Sequence, residues 1–293
     1  MKQQQIPIHA NKVLAVLLAV VCIILALPAL AASGIIDQRE TFATQGIELI
    51  DLSAASTPVH VTLADAGTSA AFHLHGDAPK KIWLETDLTG GVLTVREERE
   101  AVVTFAQEHM ALDVTLPTDY SRGLTIRTAS GDITVDAITL SRLTLDSTSG
   151  AIRLAPVLCG QVALTSTSGA LDAQGITADA LTIESTSGDV RVGGLSAQDV
   201  SLRCTSAQAD LTFAAFGSAR LNVVSTSGRI KLTLPAEAGF RFDITRTSAL
   251  IHSDFDAIAL FGQEPDTLRG QVGDGSGVVS IASTSGDIEI LHQ

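Results

Sequence analysis

Cysteine, basic side chains and aromatic rings are all scarce in this chain of 293 residues, and each shortage closes off a class of protein. Of the three cysteines, Cys22 lies in an apolar N-terminal run, while Cys159 and Cys204 occupy different places in a repeat and stand more than two repeats apart, which argues against a disulfide framework. Lys2 and Lys12 aside, 17 lysines and arginines face 32 aspartates and glutamates, a balance of −15. That sign argues against nucleic acid and against tight binding to an anionic lipid surface. With one Trp, one Tyr and nine Phe, the chain is built mainly from Ser, Thr, Gly, Val, Leu and Ile, which suits many short strands.

Catalytic signatures are missing as well. Gly273-Asp274-Gly275-Ser276-Gly277 does not lie between a strand and a helix, so it is a loop and not a phosphate cradle. No Gly-x-Ser-x-Gly elbow occurs, and no acid pair recurs on one face as in the β-helix lyases and hydrolases. The chain therefore reads as not an enzyme. No catalytic, cofactor-binding or metal residue is assigned, and no cofactor.

At the N-terminus an uncharged apolar run extends from Val13 to Ala32 after Lys2 and Lys12. Its twenty residues can span a bilayer, yet Ala29-Leu30-Ala31 is also an A-x-A cleavage site, so residues 1–32 are expected to be a membrane anchor or a signal peptide. In both cases the lysines hold the N-terminus in the cytoplasm and the rest is exported: a single-pass membrane protein with an extracytoplasmic C-terminal domain, or a secreted one. Cys22 lacks the preceding small residues of a lipoprotein signal.

The rest of the chain is ordered by one phrase. Ser-Thr-Ser-Gly occurs at Ser147–Gly150, Ser166–Gly169, Ser185–Gly188, Ser225–Gly228 and Ser283–Gly286, with weaker copies at Thr128–Gly131, Cys204–Ala207 and Arg246–Ala249. The third residues of successive copies, Ser130, Ser149, Ser168, Ser187, Ser206, Ser227, Ser248 and Ser285, are spaced by 19, 19, 19, 19, 21, 21 and 37. A period near twenty means stacked repeats. Apolar pairs precede the phrase (Leu143 and Leu145, Val162 and Leu164, Leu181 and Ile183) and follow it (Ile152 and Leu154, Val190 and Val192, Ile230 and Leu232). A third apolar position holds Ile138, Val157, Ile176 and Leu195, with Phe216 equivalent if two residues are inserted within Ala207 to Asp210.

These columns predict an all-β fold, a single-stranded β-solenoid (parallel β-helix-like) with about 19–21 residues per coil, preceded by the N-terminal membrane segment. Alternation puts Ser147, Ser166, Ser185, Cys204, Ser225 and Ser283 inside, and Thr148, Thr167, Thr186, Thr205, Thr226, Thr247 and Thr284 outside, with the glycine turning the chain. Residues 33–120 form an entry β-region and 121–293 the repeats. The excursion between Ser248 and Ser285, with Phe255, Phe261 and Gly270 to Gly277, is expected to cap or flank the final coil.

Three further clusters invite chemistry. Asp132, Asp189 and Asp287 follow the corner glycine, but Ala151, Ala170 and Arg229 intervene, so they read as solvated turn residues and not calcium ligands. If Val59–Val61 pairs with Phe72–Leu74, then His60, His73 and His75 share an outer face that could hold zinc; lacking a fourth ligand, they read as surface histidines. Arg96 to Glu100 reads as a solvated strand end.

At Leu112-Asp113-Val114-Thr115-Leu116-Pro117, Ser130-Gly131-Asp132-Ile133, Ser187-Gly188-Asp189-Val190, Leu234-Pro235 and Ser285-Gly286-Asp287-Ile288 the chain resembles a bacterial family of uncharacterised repeat β-proteins with T-x-S-G-D-I repeats, commonly labelled candidate adhesins. The resemblance implies a β-solenoid at the cell envelope, in some members linked to envelope-stress signalling, and carries over no catalytic residue. The expected function is an exported, non-catalytic, adhesin-like interaction or structural module whose partner, an envelope protein or a cell-wall glycan, the sequence does not name. The alternatives are a carbohydrate-active β-helix enzyme and lattice or ice binding by the threonine ladder.

Overall fold

The computed structural model describes residues 34–101, 107–256, 259–264 and 266–293. The expected anchor or signal at 1–32 lies outside the described residues, among which no helix is long and apolar enough to cross a membrane. The described chain is an all-β repeat structure whose 24 strands join in one mixed hydrogen-bonded network.

Two parallel ladders make the middle of the molecule. In the first, strands Ile138–Ser147, Val157–Ser166 and Ile176–Ser185 pair in register, so that Leu143, Val162, Leu181 and Val200 form one row, continued by Leu221 and Val279. In the second, Ile133, Ile152, Leu171, Val190, Ala209, Ile230 and Ile288 are successive partners. Register follows from the sequence period: a one-residue slip would turn every apolar column outward. Both columns are sealed, Leu143, Ile152 and Leu171 being fully buried. Burying each such side chain is worth about 1.5–3 kcal/mol, a gain one isolated repeat could not realise.

The third apolar position belongs to the same strand as the pair before the corner: Ile138, Val157 and Ile176 begin ten-residue strands that end at the corner serine, and the inward alternation breaks once between the two, at Ser141, Gly160 and Asp179. The extra residues after the fifth copy also lie elsewhere than expected. Val190 pairs with Ala209 at the regular offset of 19, and the register breaks only after Val192, where Leu195 partners Phe213. The insertion therefore falls in the turn between Phe213 and Arg220, where the ladder that runs through Thr177–Ala178 and Ser196–Ala197 is interrupted and a longer loop adds little closure entropy. Phe213, not Phe216, is the partner of Leu195, although both are buried.

Spatial order departs from chain order at both ends. Strand Gly277–Ser285 sits between Arg220–Ser227 and Phe240–Arg246, so the last repeat in sequence is inserted one place inside the stack. Beyond it, Phe240–Arg246 pairs antiparallel with Thr267–Val272, and that strand with Ala259–Glu264. At the other end Leu49–Ala54 stacks parallel on Gly123–Thr128, and Val59–Ala64 on Ile133–Val135, extending the repeat into the entry region. Outside these lie Val92–Arg99 and His109–Pro117, closed in turn by the antiparallel strands Ile82–Thr89 and Ala70–Ala78. Gly34–Phe42, a strand without a sequence signal, pairs with Ala70–Ala78. Antiparallel strands cover both ladders at the N-terminal end and the first ladder at the other, while the second ladder ends there on Ile251–Ser253, parallel to Ile288–His292.

Phenylalanine gathers at these closures. Phe213, Phe216, Phe240 and Phe255 meet edge to face in a chain of ring contacts at one end, and Phe42 meets Phe72 at the other. The regular repeats carry none, because each repeat contributes one aliphatic side chain to each apolar row of the interior.

Candidate functional site

The repeated corner is chemically closed. Ser147 Oγ donates to the Gly150 carbonyl at 2.7 Å, Ser166 to Gly169 at 2.6 Å, Ser185 to Gly188 at 2.5 Å and Ser283 to Gly286 at 3.2 Å, while Thr128 does the same for Gly131 at 2.7 Å. These hydroxyls are buried and committed to holding the turn, so they are not nucleophiles. Cys204 occupies the same column, and burial pushes its thiol up to about 11. Ser225 Oγ is buried with no partner among the described residues.

The corner glycines Gly131, Gly150, Gly169 and Gly188 are required by close approach, whereas Gly228 and Gly286 combine the same approach with φ of +120° and +156°. A Cβ on Gly169 would lie 2.6 Å from the Gly150 carbonyl carbon and 3.0 Å from the Ser149 oxygen, atoms of the preceding repeat. The threonines between serines are exposed in all seven copies.

The aspartates after the corner are not simply solvated. Asp132 Oδ1 accepts the Ala151 N–H at 2.8 Å, Asp189 that of Gln208 at 3.4 Å and Asp287 that of Leu250 at 3.2 Å, each one repeat further along the stack. Asp132 also holds Arg153 at 2.8 Å. Burial disfavours its ionisation, but the hydrogen bonds from Arg153 and Ala151 prevail and keep the carboxyl below its ordinary value. Only the stacking neighbour reveals this cap, since the partner is 19 residues or more away.

The histidine cluster differs from expectation in its wiring. Val59–Ala64 does not pair with Ala70–Ala78; strand His109–Pro117 lies between them, because a parallel partner continues the stack where a hairpin would end it. Asp113 is thereby opposite both His60 and His73. His73 Nε2 lies 2.7 Å from Asp37 Oδ1, and His75 Nε2 lies 2.9 Å from Asp113 Oδ2, with the two rings stacked 4.4 Å apart. Donor atoms of His73, His75 and Asp113 lie within 4.8 Å of one another. The His73 hydrogen bond holds the Asp37 carboxyl below its ordinary value, with the charges of His73 and Arg39 adding to it. His60 turns instead to Asp136 at 3.5 Å.

The charge run Arg96–Glu100 is likewise partly folded in. The Glu97 side chain is buried against Arg99, which also reaches Glu108 at 2.6 Å and Thr57 Oγ1 at 3.1 Å; Lys80 meets Glu108 at 2.9 Å. These four charges tie the strand end to the loop before His109, so the expected solvated strand end holds only for exposed Arg96 and Glu100.

Grooves are open and broad. One of about 460 Å³ is lined by Leu63, Ile138, Pro156, Leu158 and Thr177, without an acidic, arginine or histidine side chain. Another of about 450 Å³ includes Glu48, Arg142, Gln161 and Asp179.

A family model described as Toastrack DUF4097 matches residues 47–291. No curated protein matches the chain. Among solved structures, a candidate lipid-binding protein from Parabacteroides distasonis is similar with a TM-score of 0.50 at 14% identity, covering 87% of this chain and 96% of that one. A candidate adhesin from Bacteroides fragilis gives 0.47 at 12% identity, covering 87% and 97%, and one from Parabacteroides merdae 0.44 at 10%, covering 87% and 95%. At such identity the first likeness is one of fold alone.

Proposed function

Because this chain belongs to the Toastrack DUF4097 family, we propose that it acts through its outer surface, as an exported and membrane-tethered β-solenoid serving as a non-catalytic interaction or structural module of the cell envelope. The reading takes residues 1–32 as the anchor or cleaved signal, 33–120 as the entry region and 121–293 as the stacked coils. One observation carries it. The side chains repeated most often in the sequence serve the corner and the stack: the inner serines hold glycine carbonyls within their own turn, the aspartates hold the next repeat's backbone, and what remains in regular array outside is a column of threonines beside one of largely exposed third serines. Thr148, Thr167, Thr186 and Thr205 sit in the bend just after each strand, and a regular exposed array along the stack is a surface for a partner. The bacterial adhesin-like resemblance adds the envelope setting and, in some members, a link to envelope stress.

The test is retention of partners by the full chain. Immobilised protein is challenged with cell-wall glycans and with solubilised envelope proteins, beside a Thr186→Lys variant that places a charge in the middle of the threonine column. Retention by the parent and its loss in the variant is the expected result. Retention of nothing, or equal retention by both, removes the adhesive role from this face.

A further inference from the structure

His73 and His75 stand two residues apart on strand Ala70–Ala78 and so project from one face. The strands on either side deliver carboxylates to that face: Asp37 opposite His75, and Asp113 opposite His73. The side chains cross diagonally, each Nε2 turning to the carboxylate opposite the other histidine, and this crossing draws the rings together to 4.4 Å.

We propose that His73, His75, Asp113 and Asp37 form a binding site for one divalent first-row transition-metal ion, zinc being the probe of choice. Two imidazole nitrogens and two carboxylate oxygens make the N₂O₂ donor set that suits zinc, cobalt, nickel or copper; calcium and magnesium prefer oxygen alone. In a tetrahedral zinc site with bonds of about 2.0–2.2 Å, donor atoms stand roughly 3.3–3.5 Å apart. The donors of His73, His75 and Asp113 already lie within 4.8 Å of one another; Asp37 Oδ1 is 2.7 Å from His73 Nε2 but outside that group, so its exposed side chain swings inward to complete the shell. The backbone beneath does not need to move. The residues alternating with the ligands, Phe72, Leu74, Leu112 and Val114, are fully buried in the core and fix both strands. The fourth ligand missing from the sequence reading arises because Gly34–Phe42 and His109–Pro117 flank the histidine strand, pairings that span more than thirty residues in each direction. His60, engaged with Asp136, is not part of the shell. The site is independent of the envelope reading.

The experiment is calorimetric titration of the untagged full chain with zinc chloride after chelator dialysis, followed by cobalt(II) titration read by visible absorption. One ion per chain is expected, with the intense visible bands of tetrahedral cobalt. His75→Ala and Asp113→Asn are each expected to weaken binding at least about tenfold, and His252→Ala, on an exposed distant strand, to leave it unchanged. Circular dichroism melting separates a lost ligand from a lost fold, and a variant that melts far below the parent is replaced by His73→Gln. Absence of saturation up to about 1 mM zinc, or a titration in the folded His75→Ala or His73→Gln protein that matches the parent, overturns the proposal.

Discussion

Replacing Gly169 with alanine tests the stacking directly. The new methyl carbon would sit 2.6 Å from the Gly150 carbonyl carbon and 3.0 Å from the Ser149 oxygen, where ordinary contact begins at 3.4 Å. The Gly150 carbonyl oxygen is nearer still, so the two repeats must part by at least roughly 0.8 Å, and what they meet is backbone, which cannot rotate away. Three hydrogen bonds hold the corner: Thr167 N–H to Ser147 O at 3.1 Å, Ser168 N–H to Thr148 O at 2.9 Å, and Ser166 Oγ to Gly169 O at 2.6 Å. Weakening them costs about 0.5–1.5 kcal/mol each, and forcing extra volume into a packed site adds about 1–3 kcal/mol. The sum is about 2.5–7.5 kcal/mol. For a domain of this size that corresponds to a fall in Tm of roughly 5–30 °C, measured by circular dichroism melting of the full chain. Gly217→Ala is the control, since Gly217 has a φ of +46° but open space around it and should lose only the conformational cost of about 1–2 kcal/mol. A Gly169→Ala protein no less stable than Gly217→Ala would refute close approach as the reason for the glycine.

The serine column yields a paired prediction: Ser185→Ala strands the Gly188 carbonyl and should cost about 1–3 kcal/mol in urea unfolding, whereas Ser225→Ala, which removes a buried hydroxyl with no partner among the described residues, should be neutral or stabilising. Equal losses would contradict the assignment of the hydroxyl bonds. Asp132 should make stability depend on pH. Its carboxyl is depressed in the folded state, so its contribution is full above the unfolded value of about 3.9 and is lost as the pH falls through the folded one. Asp132→Asn should therefore melt below the parent at pH 7, the gap closing in acid below about pH 4; a gap that persists there argues against the charge. Cys204, 3% exposed and with a thiol pushed up to about 11, should resist a disulfide reagent at pH 8 until denaturant is added, and rapid labelling of the native chain would show the column to be open.

Much of the fold could be read from residues alone because the repeat leaves few ways to bury Leu143, Val162 and Leu181 together. The same period identified which serines face inward and which threonines face out. It could not locate the insertion after Phe213, since an alanine-rich corner and an alanine-rich turn look alike in sequence and only the partner of Ala209 distinguishes them. Nor could it show that Gly277–Ser285 enters the stack ahead of Phe240–Arg246, because both strands present the same apolar alternation.

The histidine cluster shows the division most sharply. The sequence by itself determined that His73 and His75 lie on one face, through the two-residue period of a strand, and that a corner of serine, threonine and glycine recurs at intervals near twenty residues. Which carboxylates meet those histidines was decided by tertiary structure. Asp37 and Asp113 are each more than thirty residues distant, and only the order of strands in the N-terminal closure brings them opposite. Alternation is a local property of the backbone and is written in every few residues. Strand order is settled by the competition among many similar edges for the one arrangement that leaves the fewest backbone groups and apolar columns uncovered.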